Sequence, residues 1–583
     1  MKDIFSFLKK RINTPSLQEI FCAIKNLGHN EKRIFFILFI IFILSAGVLI
    51  YKVNDKISVT VPDNGGIITE GILGTPRFIN PLLAISDADR DMTSLIYSGL
   101  MRPDSSGGLE LDLAEKYDVS KDGLEYTFIL KPDLVWHDGE QIIVDDIIFT
   151  IQQAKDPILK SPKRAGWEGV IVEKIDDRTV KFILEKSYTP FLENTILGIL
   201  PQHLWKDASS ELMTFSELNI NPIGSGPFKI KSVDKDSSGI IKTYYLVSNK
   251  KFALGQPYIK EIDLKFYASE EKLIEAYQKG DVNSLSAISP QTLENIKRKD
   301  GKLEVFYLPR VFGIFFNQNN SKVFTQNEVR QALNLATDKK KIIDEVLKGL
   351  GSEIDSPIPH GVFGAKEYGG DIFSIEKAKE LLLKNGWKLN EETGILEKKD
   401  KKEIIILEFS IATSNMPELK QTAELIKSMW EAIGAKVNIK IFEIGDLNQN
   451  VIRPRKYDAI LFGEIVGRDP DPFVFWHSSQ RNDPGLNIAL YANINADKLL
   501  EKARTISDKE ERKEIYLQFQ EEVEKDVPAI FLYSPYFVYV VPQSLNGVRE
   551  LESITTSSER FAQVYKWYIK TSKIWKIFVK TEN

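Results

Sequence analysis

A chain of 583 residues is too long for one hydrophobic core, and its 43% apolar and 10% aromatic content excludes a disordered chain. A net charge of −5, a pI near 5.9 and a body without long basic runs argue against nucleic acid as a partner. The single cysteine, Cys22, excludes an intramolecular disulfide and a thiolate metal site.

The first feature along the chain is Ile34 to Ile50 (IFFILFIIFILSAGVLI), an apolar run without a charge. As a helix it covers, with its flanks, roughly 25–30 Å, about the thickness of a bilayer core. Lys2, Lys9, Lys10, Arg11, Lys25, Lys32 and Arg33 precede it, against Asp3, Glu19 and Glu31. The positive-inside rule then predicts a cytoplasmic segment 1–33, a transmembrane anchor 34–51 and a polar linker 52–66 leading to an extracytoplasmic body. A cleaved signal peptide is the competing reading. Ser45-Ala46-Gly47 supplies small residues, but Val48, Leu49 and Ile50 continue the run and the leader is long. Cys22 precedes the run, which is the wrong side for lipid attachment.

From Ile67 the body alternates strand and helix signals. Glu125 to Leu130 and Thr179 to Leu184 alternate like strands after the turn signals Asp122-Gly123 and Asp176-Asp177. Asn327 to Lys348 has helical spacing with a break near Thr337-Asp338, and Ser374 to Asn385 reads as a short capped helix. Pro417 to Ile433 presents Ala423, Ile426, Trp430 and Ile433 on one face, stops at Gly434, and runs into a strand at Lys436 to Phe442. The fold class predicted is α/β.

Isolated candidates for catalysis are weak. His137 sits in Trp136-His137-Asp138-Gly139, a hairpin turn signal, and reads as structural. The five histidines form no metal-ligating spacing, and Ser225 in Gly224-Ser225-Gly226 lacks a nucleophile-elbow frame. Asp469-Pro470-Asp471-Pro472 reads as a rigid turn opening a helix in preference to a calcium loop. No catalytic residue, metal or cofactor is assigned.

Several ordered blocks carry a resemblance. They begin with Phe78-Ile79-Asn80-Pro81-Leu82, Ser94 to Leu100, Leu113 to Tyr117, Asp122 to Phe128, Val135 to Glu140 and Asp145 to Thr150. Downstream follow Asn221 to Phe228, Val329 to Asp338, Lys377 to Leu382 with Gly386-Trp387, and Asp469-Pro470-Asp471. In order and spacing the chain resembles the family 5 solute-binding proteins of ABC importers, the peptide- and nickel-binding group, over about residues 67–549.

The resemblance implies a two-lobed periplasmic-binding-protein fold with an extra domain in lobe one, here preceded by one transmembrane helix. Lobe one is expected at 67–306 with the extra domain at about 95–205, lobe two at 307–525, and a return to lobe one at 526–550. It also implies a receptor, not an enzyme, that closes on a solute and presents it to ABC permease subunits with their ATPases. The expected solute is a peptide, an oligopeptide above all, bound by a monomeric receptor.

Peptide-binding members hold the α-ammonium with an aspartate just upstream of the Asp-Pro-Asp turn. Here Val466 falls at or next to that position, with Glu464 and Arg468 nearby. The ligand-binding candidates are therefore Glu464, Arg468, Asp469, Trp476, His477, Tyr491 and Asn317. A structural Glu–Arg bridge and core packing of Trp476 stay open as alternatives. A non-peptide solute (sugar or metal chelate) and a sensor or chaperone role stay open too. The tail 551–583, basic and aromatic from Arg560 to Lys580, suits either a lipid surface or packing on lobe one.

Overall fold

The computed structural model describes residues 16–578 except 106, 287, 294–295, 297–300, 368, 371–372, 401–402 and 551–552. The basic residues Lys2, Lys9, Lys10, Arg11 and Lys580, and Asp3, lie outside them. The chain divides into two compact units, Met1–Asp63 with Lys570–Asn583, and Asn64–Ile569.

In the first unit, a helix Leu17–Asn26 precedes a 29-residue helix His29–Ile57 that buries none of its residues. It is long and apolar enough to cross a membrane. It also continues past Tyr51, so the expected linker 52–66 is corrected: residues to Ile57 are helical, and Ser58–Asp63 is a strand. That strand pairs antiparallel with Lys570–Trp575, Ser58 opposite Trp575 and Asp63 opposite Lys570. The Ser-Val-Thr-Val alternation had a partner more than 500 residues away, which local pattern does not reveal.

The second unit is built on one continuous path of strands. Its centre is the 14-residue strand Ala529–Pro542. Residues 529–533 pair antiparallel with Arg310–Phe316, and residues 536–542 with Gly301–Tyr307. On the lobe-two side the order continues through Ala459–Ile465, Glu408–Ser414 and Lys436–Phe442; the last two are parallel and joined by the helix Pro417–Glu431. On the lobe-one side it runs through Ser284–Ser286, Ile67–Leu73, Glu261–Tyr267, Ile241–Ser248 and Phe228–Lys235. Two cores flank the lobe-two sheet, one around Trp430 and Leu461, the other around Trp476 and Phe519. A third, around Trp136, Phe182 and Trp567, fills lobe one.

Gly301–Tyr307 leads into Arg310–Phe316 through Leu308-Pro309, beside Ser534-Pro535 of the long strand, and Ser534 Oγ donates to the Leu308 carbonyl at 2.6 Å. The extra domain contains a separate four-stranded sheet, Ala114–Val119, Glu125–Leu130, Thr179–Ile183 and Ile171–Lys174 in spatial order. The expected break near Thr337-Asp338 falls between Asn327–Leu335 and Lys339–Val346, where Asp338 caps the second helix. The tail separates into two parts. Ile554, Phe561, Val564 and Trp567 are buried in the lobe-one core, and the exposed basic strand begins only at Lys570.

Candidate functional site

One side of lobe one contains a cavity of about 360 Å³, within the range of small-ligand sites. Three elements form it: the helix Asp87–Ile96, the extra domain at Lys163, Trp167 and 193–198, and the segment 555–562. Each is locked from behind.

The helix starts at Ser86, whose side chain accepts from Asp89 N–H in a capping box, while Asp89 Oδ1 accepts from the Arg77 and Phe78 amides at 2.6 and 2.9 Å. Its far end rests on Gly224-Ser225-Gly226. The Gly226 amide donates to the Ile96 carbonyl at 2.8 Å, and Ser225 Oγ accepts from Ser98 N–H at 3.3 Å. A Cβ at Gly224 would lie 2.0 Å from that same carbonyl oxygen, so the glycine is required by close approach. His137 braces this segment: its Nε2 donates to the Gly226 carbonyl at 3.1 Å and its Nδ1 accepts from Gly224 N–H. Burial lowers the imidazole pKa to about 4, so it stays neutral.

Arg560, fully buried, ties the third element to the first and to the strand Ile67–Leu73 behind it. Its guanidinium gives bidentate bonds of 2.7 Å to Asp91 on the helix and one of 3.0 Å to Glu70 on the strand Ile67–Leu73. Tyr539 and Ser284 complete the Glu70 bonding. Burial raises the pKa of both acids and Arg560 opposes it.

Facing the cavity, the helix presents Arg90, Thr93 and Tyr97, three and four residues apart on one side. Among the described residues, Arg90 Nε, Thr93 Oγ1 and Tyr97 OH have no hydrogen-bond partner. Burial raises the Tyr97 pKa and keeps its hydroxyl protonated. Arg102 faces Asp112 at 3.6 Å and lies over Phe252 and Tyr565 at 5.1 and 5.3 Å. Lys163 opens to the cavity mouth but is crowded; burial and Arg90 lower its pKa while Glu559 opposes.

Lobe two meets this wall through Arg468. Its guanidinium bonds Glu193 at 3.0 Å and Glu559 at 2.6 Å, both lining the cavity. Burial pushes the Glu193 pKa up to about 7, with Glu559 and Asp469 adding to the effect and Arg468 opposing it. Beside this bridge Tyr188 OH donates to Asp471 at 3.5 Å, and Thr189 Oγ1 to the Ile506 carbonyl at 3.1 Å.

Of the seven residues singled out from sequence, Arg468 is the one that bonds to the cavity wall. Glu464 does not pair with it. It lies on the strand Ala459–Ile465, 5% exposed, with neither oxygen hydrogen-bonded among the described residues, and burial holds its pKa well above the carboxylate range. Asp469 is held by Arg512 at 2.8 Å, and Asp471 by Arg504 through Nε at 2.8 Å. His477 stacks on Phe473 at 4.0 Å and bonds Ser479 through Nδ1.

Three of the candidates lie away from the cavity. Trp476, 1% exposed, packs in the core between Phe315, Tyr491 and Phe531. Tyr491 is 4% exposed and donates to Asp526 at 2.8 Å. Asn317 follows the strand Arg310–Phe316 at the end opposite Val311, the partner of Glu464; there its amide donates to the Arg455 carbonyl. Six residues of the strand separate Val311 from Asn317, about 20 Å, too far for a shared small site.

Missed from sequence were Arg90, Thr93, Tyr97, Arg102, Lys163, Glu193 and Glu559. One signal was legible: a polar stripe at 90, 93 and 97 on a helix whose Met92, Leu95 and Ile96 are apolar.

Two lobes joined by two crossings, with a cavity in one and a capping arginine from the other, define a solute-binding protein. Residues 108–485 match the model of the bacterial extracellular solute-binding proteins, family 5, and the chain belongs to that family. Members are non-enzymatic transport receptors. The oligopeptide-binding protein AppA of Bacillus subtilis is 30% identical over 514 residues, covering 85% of this chain and 91% of AppA. The structure of that AppA with a nonapeptide aligns at a TM-score of 0.65 and 27% identity, covering 88% of this chain and all of the other. The substrate-binding protein CtaP of Listeria monocytogenes aligns at 0.73 and 26%, covering 87% and 100%. NikZ of Campylobacter jejuni with Ni(L-His) aligns at 0.65 and 27%, covering 86% and 99%.

Proposed function

We propose that this chain is the peptide receptor of an ABC importer, anchored by the helix His29–Ile57 with its body outside the cell membrane. It binds an oligopeptide in the cleft between the lobes, one end of it reaching the lobe-one cavity, and delivers it to a permease driven by paired ATPases. The observation that carries this reading is the cavity wall, where buried donors without partners among the described residues sit behind an arginine supplied by the other lobe. Buried polar groups are normally satisfied, so such a wall is built for a guest. Solute in the cavity and Arg468 on its rim favour the same closed arrangement, which shifts the population toward it. The likeness to the oligopeptide-binding AppA supports the peptide assignment. Anchoring beside the permease raises the effective concentration of loaded receptor.

The test uses the full chain in detergent micelles. Native mass spectrometry reads any co-purified solute, and thermal shift compares peptides, sugars and metal chelates. Stabilisation by peptides with a smaller radius of gyration in solution scattering is the expected result. Stabilisation by chelates or sugars without any by peptides would overturn it.

A further inference from the structure

We propose that the cavity recognises a carboxylate of the bound solute, at the end formed by Arg90, Thr93, Tyr97 and Lys163; this rests on the reading of the cavity as the solute site. The argument begins with charge. Three carboxylates line the wall, and each is already engaged: Glu193 and Glu559 by Arg468, Asp112 by Arg102. Arg90 and Lys163 line the same wall. Arg90 reaches Asp87 through Nη2 at 2.9 Å on its exposed side, and its Nε has no hydrogen-bond partner among the described residues. Both side chains keep contact with solvent, and an anion entering this end of the cavity meets both.

The neutral groups select the kind of anion. Thr93 Oγ1 and Tyr97 OH are buried without partners among the described residues, and Tyr97 is 4% exposed. Both can donate. With Arg90 Nε they form a file of donors along one helix face, three and four residues apart. A carboxylate has about four lone-pair sites on two oxygens and accepts from several donors at once. Of the four cations at the cavity, Arg102 and Arg468 pair with its three carboxylates and Arg90 pairs with Asp87, which leaves Lys163 without an ion pair among the described residues and open to one carboxylate. The matching solute is a peptide whose terminal or side-chain carboxylate enters this end.

The experiment titrates full chain in detergent micelles with two nonapeptide pools by calorimetry. One pool has free carboxyl termini and acidic side chains; in the other the termini are amides and Asn and Gln replace Asp and Glu. Wild type is expected to favour the first pool by about ten-fold. Arg90→Met with Lys163→Met should abolish that preference while binding of the amidated pool persists. Tyr97→Phe, which keeps the packed ring, should reduce it several-fold without changing the melting temperature appreciably. Equal binding of both pools by wild type, a preference that survives the double substitution, or displacement by inorganic phosphate as strong as by the acidic pool would overturn the carboxylate assignment alone. Failure of wild type to bind either pool would overturn the peptide reading, and the inference with it.

Discussion

The turn Asp469–Pro472 in lobe two and the cavity wall in lobe one are both rich in charge, and they differ in which groups are left without partners. In the turn, Asp469 is bound by Arg512 and Asp471 by Arg504, and Tyr516 OH donates to the Pro470 carbonyl at 2.7 Å. That turn is held by two charge pairs with neighbouring helices, although Asp469 Oδ1 and Arg512 Nε and Nη1 have no hydrogen-bond partner among the described residues. In the wall, Arg90, Thr93 and Tyr97 keep donors that no described residue satisfies. A motif with fixed spacing is most legible where residues hold one another. Residues with donors to spare carry only the short polar stripe at 90, 93 and 97, and Lys163 lies far from it in the sequence.

The largest effect that sharpens this contrast is expected at Arg560. Arg560→Met strands Glu70 and Asp91 in the core and should cost about 3–5 kcal/mol, read as a loss of melting temperature and denaturation midpoint. Solute affinity should fall with it, because the 555–562 wall loses its tie. Trp476→Ala should cost a similar 3–5 kcal/mol by leaving a core void. There, affinity measured on the folded fraction should stay unchanged; a specific loss of affinity would return Trp476 to the site.

Arg468→Met removes the bridge between the two regions and is expected to weaken solute binding by about ten-fold. Solution scattering should show a more open average without a matching loss of stability.

The smallest effect is a pH dependence. Glu193 carries a raised pKa, about 7 against an ordinary 4.5, in the state where Arg468 covers it. That state binds the proton more tightly than an open, solvated one. Covering is therefore favoured fully below 4.5 and loses this contribution as pH rises through about 7. Scattering across that window should show the change in wild type, and Glu193→Gln should flatten it.

Much of the scaffold was legible from sequence. The helix at Pro417–Glu431, the strand Lys436–Phe442 and the cap at Ser374 follow from periodicity and capping chemistry over short windows. The blocks of resemblance located the glycine segment that seats the helix Asp87–Ile96. What stayed hidden depends on distant pairing. Arg560 and Asp91 are 469 residues apart, and the strand at Lys570 finds its partner at Asp63. The resemblance marked Tyr491, and nearness to the Asp-Pro-Asp turn marked Trp476, as solute contacts; an aromatic ring suits a core and a binding wall equally, so its sequence position does not separate the two.

The two crossings between lobes have a consequence for modularity. Lobe two leaves lobe one after Leu308 and rejoins it after Ser534, two residues joined by one hydrogen bond. The intervening chain is a cassette whose ends already touch. The residues lining the cavity all lie in 81–198 and 555–562, outside that cassette. A graft from a related receptor, spliced at Leu308 and Pro535, would thus exchange the cover and leave the pocket's chemistry in place, so the two can diversify independently.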